Sequence, residues 1–244
     1  MFMRKILITM FSVVALLSVV FASGVPAAPT GFSCVSGNNP ASCSVGTTQL
    51  FFNVIDLGVG VRFVVFNTGP VTSTVAAIYF DDNNNLLAGR FESFFSPSTE
   101  VNFVQGGSPE NLPAGNNGVP SFVSDFNFTR CTGGDCNISM GIDAGESLGL
   151  TFSYGGGVTF GDVTRDLDDG NLRLGLHVQR LPLSLSDFSI PTDSSPSLFS
   201  GSESFINTST EPPSSSPEPV PEPMTFILLG SGLLGLAFYR RLIS

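Results

Sequence analysis

Three observations predict an all-β fold, an antiparallel β-sandwich of jelly-roll or immunoglobulin-like type, for the central part of this 244-residue chain. Apolar residues recur with a period of two. Turn-forming residues return at short intervals between those runs, and no long stretch of helical spacing interrupts them. The runs fall in order at 50–55, then at 61–66, where Arg62 marks the wet side, and at 75–80, 86–94 and 101–104. Phe122, Phe126 and Phe128 share one face with Ser124. Leu148, Leu150, Phe152 and Tyr154 repeat the pattern. Leu172, Leu174, Leu176 and Val178 alternate with Arg173, Gly175, His177 and Gln179, as in a half-buried strand. Ser204-Phe205-Ile206 is a candidate last strand returning to the sheet. Residues 81–85, Asn116-Asn117-Gly118, Gly155-Gly156-Gly157 and Asp169-Gly170-Asn171 supply turn chemistry, and Asp169-Gly170 suits a primed hairpin turn. With 23 Phe and no Trp, the expected core is phenylalanine and aliphatic packing between two sheets.

Two apolar segments bracket this domain. Arg4 and Lys5 precede the run 6–21, and Val20-Phe21-Ala22 offers compact residues where a signal peptidase reads, so residues 1–22 are expected to be a signal peptide. A cut near Ala27 or Ala28 and an uncleaved anchor are the alternatives. The β-sandwich domain is assigned to 29–207 and a Ser/Pro-rich linker to 208–219, which has too little apolar surface to offset its ordering entropy. Residues 220–244 are different again. Val220-Pro221-Glu222-Pro223 is followed by an apolar run at 224–239 and the pair Arg240-Arg241. The prolines bias the carboxylate-bearing segment toward an extended form that suits an enzyme cleft. The apolar run spans only ~24 Å as a helix, short of a ~30 Å hydrocarbon core, and Gly230, Gly232 and Gly235 permit close approach of another helix. The arginine pair should stay on the cytoplasmic side. A plain uncut anchor is the other reading.

This tail resembles the PEP-CTERM sorting signal of Gram-negative bacteria. The resemblance implies recognition by a membrane exosortase at Val220, Pro221, Glu222, Pro223, Arg240 and Arg241, with transient membrane insertion. Residues 78–82, 107–113, 174–179 and 201–205 together are similar to exosortase-dependent surface proteins, a likeness that implies a destination and a β-rich fold but no reaction.

Composition narrows the partners. All 20 acidic residues lie between Asp56 and Glu222, whereas Arg4, Lys5, Arg240 and Arg241 belong to the terminal segments, leaving 6 basic residues and a net charge of 6 − 20 = −14 if Glu222 is retained. Such a surface repels nucleic acid and anionic headgroups. Cys34, Cys43, Cys131 and Cys136 form an even set in an exported chain, which argues for two disulfides. Three connectivities exist. Cys34 with Cys43 and Cys131 with Cys136 is favoured because each pair closes a short loop.

The candidate chemistry is sparse. Asp81, Asn83, Asn85 and Glu92 occupy positions one, three, five and twelve of a calcium-loop pattern, but Leu86 stands where a glycine is needed. Calcium at Asp81, Asp82, Asn83 and Asn85 in a β-loop is the remaining cofactor candidate, against a hairpin whose side chains bond their own backbone. Asp162, Asp166, Asp168 and Asp169 form a second acidic cluster, read as a solvated turn against a carboxylate pair acting on a glycoside. His177 is the sole histidine, and its strand phase places it on the wetter face beside Arg173 and Gln179. No enzyme is expected. The leading reading is an exported, exosortase-processed surface or extracellular-matrix protein with a structural or interaction role, and the alternative is a carbohydrate-binding module, calcium-dependent or not, acting on extracellular polysaccharide.

Overall fold

A computed structural model describes residues 29–130, 140–183 and 200–208. All of these lie in the first of two units, Met1–Thr210 and Glu211–Ser244. The expected signal peptide, Cys131 and Cys136, the expected linker after Thr208 and the tail fall outside the described residues. Among the described residues, no helix is long and apolar enough to cross a membrane.

Among the described residues, eleven strands form one antiparallel sheet curled back on itself. They are β1 (Thr30–Cys34), β2 (Leu50–Asp56), β3 (Gly60–Asn67), β4 (Thr74–Asp82), β5 (Phe91–Phe95), β6 (Val104–Gln105), β7 (Phe126–Thr129), β8 (Ile142–Asp143), β9 (Ser147–Ser153), β10 (Leu172–Leu181) and β11 (Gly201–Asn207). Their order is β5-β9-β3-β2-β1-β11-β10-β4-β7-β6, with β8 also on β4. The expected pair of sheets is therefore a single sheet bent at β1, which pairs with β2 on one side and β11 on the other. Phe63 of β3 packs on Phe80 of β4 with ring centroids 5.3 Å apart, and Phe91 of β5 meets Phe128 of β7 at 4.7 Å. Fully buried Phe63, Phe80 and Phe128 and half-buried Phe91 thus join the two halves, each ring removing apolar area from water.

Two α-helices among the described residues depart from the helix-free expectation. Helix α1 (Pro40–Gln49) begins where the Asn39 side chain accepts from the Ala41 and Ser42 amides and Pro40 stands in the first turn. Its Gly46 lies under the Phe205 ring, where a Cβ would come within 2.1 Å of Cζ. Helix α2 (Phe160–Asp168) starts with a capping box between Thr159 and Asp162 and buries Val163 and Leu167. Asp169-Gly170 consequently ends a helix rather than turning a hairpin, and Gly170 takes φ +73° there.

Other boundaries shift for similar reasons. Residues 83–90 form a turn, so the strand expected at 86–94 begins at Phe91. The 101–104 run contributes only Val104 to a strand, and Phe122 precedes β7. Phe122 joins Leu112 in covering Ala77, Tyr79 and Ile206 on the outer face of the β11-β10-β4 half. Gly175 makes that cover fit, since a Cβ would stand 2.8 Å from Leu112 Cδ2 and 3.0 Å from Phe122 Cζ. All nine residues of β4 are buried as a result.

Candidate functional site

The acidic loop after β4 is bound up by its own chain. Asp82 accepts from the amides of Leu86 (2.9 Å), Leu87 (2.7 Å) and Ala88 (3.1 Å), which wraps the turn around one carboxylate. Asp81 is buried and accepts from the Arg173 guanidinium and the Val123 amide, the latter at 3.1 Å. Hydrogen-bond donors therefore face both carboxylates where a cation would need bare oxygen. Asn85 adopts φ +55°, a conformation asparagine tolerates in turns. Arg173, expected on the wet face, is only 7% exposed because residues 107–125 cover it.

The two acidic clusters of the sequence are neighbours in space. Asn84 Nδ2 donates to Asp166 Oδ2 at 2.7 Å, and the Asn83 amide donates to the Asn171 carbonyl at 3.0 Å. Asp162 is held down to about 2, first by the Thr159 hydroxyl, then by the Thr159 amide and Arg165. Its role is to cap α2. Among the described residues, the one group of three ligand-type side chains that converges is Cys34, Cys43 and Glu203, and both sulfurs are in a disulfide.

His177 is half-buried rather than exposed. Its Nε2 lies 3.2 Å from Ser202 Oγ and 3.4 Å from Gln179 Nε2, and its Nδ1 lies 3.5 Å from Ser204 Oγ. Among the described residues, none of these ring contacts is to a carboxylate, the group that orients the histidine in a hydrolytic triad. Burial, and then the Arg130 charge, lower its pKa from 6.5.

Cys34 and Cys43 form a disulfide across the segment that joins β1 to α1, with Cα atoms 5.4 Å apart. Glu203 holds the same segment. This carboxylate is 1% exposed and accepts from the Asn38 amide at 3.0 Å, the Asn39 amide at 2.7 Å and the Ser36 hydroxyl. Glu203 is a functional residue of the fold that was not among the expected site residues. Its one signal was an acid inside an otherwise apolar and small-residue strand.

The two outer faces of the sheet differ. Residues 107–125 cover one, and a polar cavity of about 460 Å³ opens at their margin among Gln105, Glu110, Asn111, Asp125 and Asn127. The outer face of the β5-β9-β3-β2 half carries half-buried Phe51, Val64 and Phe66, with Phe95 53% exposed. Arg62 places its Cζ 4.7 Å from the Phe95 ring centroid and donates from Nε to Thr151 Oγ1 at 3.0 Å.

Residues 219–241 match the family of the PEP-CTERM protein-sorting motif. The chain carries a PEP-CTERM sorting signal. All six residues assigned to processing, Val220, Pro221, Glu222, Pro223, Arg240 and Arg241, lie inside the matched sorting signal. It marks the chain as an exported exosortase substrate with a surface or extracellular destination. No curated protein and no solved structure matches the chain. The PEP-CTERM signal thus identifies a route, and the domain ahead of it has to be read from its own surfaces.

Proposed function

We propose that this protein is a non-enzymatic component of the cell surface or extracellular matrix, cut by signal peptidase at its head and by exosortase at its tail. The sorting motif at 219–241 is the observation that carries the reading. The fate of the polar residues supports it. Asp81 and Asp82 serve the covering segment and the 83–88 turn, Asp162 caps a helix, and Glu203 anchors the disulfide loop. Side chains occupied in this way contribute to a rugged exported domain, and a structural or interaction role needs no more.

Mass spectrometry of the native product tests the proposal. Termini near Ala22 and Pro223, with Arg241 missing, are expected in cells with an active exosortase. An intact chain that stays embedded in those cells would refute it. The second reading, carbohydrate binding, is favoured by one observation: the aromatic outer face of the β5-β9-β3-β2 half, on which Arg62 lies against Phe95. Calcium is not required on either reading.

A further inference from the structure

We propose that the outer face of the β5-β9-β3-β2 half binds an anionic polysaccharide, with sugar rings stacked on its phenylalanines and a carboxylate of the polymer held by Arg62. This rests on the carbohydrate reading above and names the class of glycan.

The strand register builds the platform. Phe51 stands opposite Phe66, and Asn53 opposite Val64, which in turn faces Gly149 and then Phe95. The next row runs from Ile55 through Arg62 and Thr151 to Ser93. None of these paired positions is acidic, in a chain whose exported part carries 20 acidic residues. Glu92, in the bulge of the edge strand β5, marks the rim.

Gly149 shapes the centre of the face. A Cβ there would meet Arg62 Cδ at 3.0 Å and Phe95 Cβ at 3.3 Å, so the bare backbone leaves room for the arginine stem beside the ring. Arg62 has no acid partner among the described residues, and its Nε is already oriented by Thr151. The rest of the guanidinium can pair with a carboxylate in a fork geometry, while the phenylalanine faces meet the C–H faces of sugar rings.

Charge and size select the occupant. Salt screens charges beyond roughly 10 Å at 0.1 M, so a carboxylate approaching Arg62 responds to the charges close to it more than to the net charge of the domain. Strand spacings of about 4.8 Å and rises of about 3.4 Å give these four strands, five to eight residues long, a face on the order of 300–450 Å². A stable protein interface buries about 800 Å² per partner. The face is too small for a folded partner and ample for a short run of sugar units.

The test uses the processed protein recovered from producing cells, or the full chain in detergent where processing fails, in affinity electrophoresis through gels containing polygalacturonate or neutral dextran. The expected result is retardation by polygalacturonate that weakens at least tenfold in Arg62→Gln and in Phe95→Ala and falls with added salt, with melting temperatures close to that of the parent. No retardation, or equal retardation of parent and Arg62→Gln, overturns the proposal. So does equal binding of dextran, which makes the face a neutral-sugar platform, and so does a concentration-dependent dimer abolished by Phe95→Ala, which makes it a protein contact. The termini of the recovered protein are read separately, so a failure of glycan binding leaves the exosortase route standing.

Discussion

Arg173 of β10 donates to the buried carboxylate of Asp81 on β4 and, from the same guanidinium, to the carbonyls of Pro120 at 2.6 Å and Ser121 at 2.7 Å. One ion pair thereby fastens the covering segment 107–125 to the sheet. Removing one partner of a buried pair leaves the other charge uncompensated, which costs about 3–5 kcal/mol. Arg173→Met should lose stability on that scale in urea denaturation and expose new protease cleavage within 107–125. A loss below about 1 kcal/mol with no new cleavage would show that the pair does not hold the segment.

The same contacts predict the response to calcium. With Asp81 paired and Asp82 accepting three amides, millimolar calcium should leave the melting temperature unchanged and give no binding heat. Calorimetric heat that vanishes in the Asn83→Ala, Asn85→Ala double variant would contradict this account.

At Gly46 two effects compete. Alanine is favoured over glycine inside a helix by about 1 kcal/mol. Against that, a Cβ would fall within 2.1–2.8 Å of three Phe205 ring atoms, and overpacking a core costs typically 1–3 kcal/mol. Gly46→Ala should therefore be destabilised, and combining it with Phe205→Leu should recover part of the loss. A stabilised Gly46→Ala would mean the ring moves away at little cost.

His177 predicts a pH dependence. Its folded-state pKa is lowered below 6.5 by burial and by Arg130, so the unfolded chain takes up the proton first as the pH falls. The sign follows directly: stability is undiminished above about 6.5 and declines as the pH drops below it. Thermal melts between pH 7.5 and 5.5 should show this decline, and His177→Gln should flatten it. Parallel curves for the two proteins would rule out His177 as the source.

Glu203 and the Cys34–Cys43 disulfide hold the same segment by different means. Closing a loop of this length stabilises by about 2.5 kcal/mol through the unfolded chain, and leaving buried amide donors unsatisfied costs about 1–3 kcal/mol. Glu203→Leu should destabilise the protein even with the disulfide intact, as read by denaturation under oxidising conditions. An unchanged midpoint would assign the whole restraint to the disulfide.

Much of the sheet could be read in advance because alternation survives wherever one face of a strand meets the core. Leu148, Leu150 and Phe152 are buried as their phase requires, and Ser204-Phe205-Ile206 lies in β11, between β1 and β10. The reading failed where alternation stopped carrying information. Helix α1 has no distinct apolar stripe, and its signal was Asn39 followed by Pro40. Helix α2 was hidden by its aspartates, although Thr159 and Asp162 already had capping-box spacing. Phe95 lay one residue beyond the expected strand, and its pairing with Gly149, and hence its place beside Arg62, depends on a bulge in β5.

The sequence by itself determined where this protein is sent, because a sorting signal is a linear object whose order of proline-flanked carboxylate, apolar run and arginines is complete within 219–241. It also determined a strand-rich domain, since a period of two is a local property. Only the tertiary structure decided which polar residues are exposed. A segment 107–125, distant in sequence from β10, lies over one outer face, burying Arg173 against Asp81 and leaving the opposite face open around Arg62 and Phe95. Strand phase divides residues between two faces, and long-range packing alone settles which of those faces meets water.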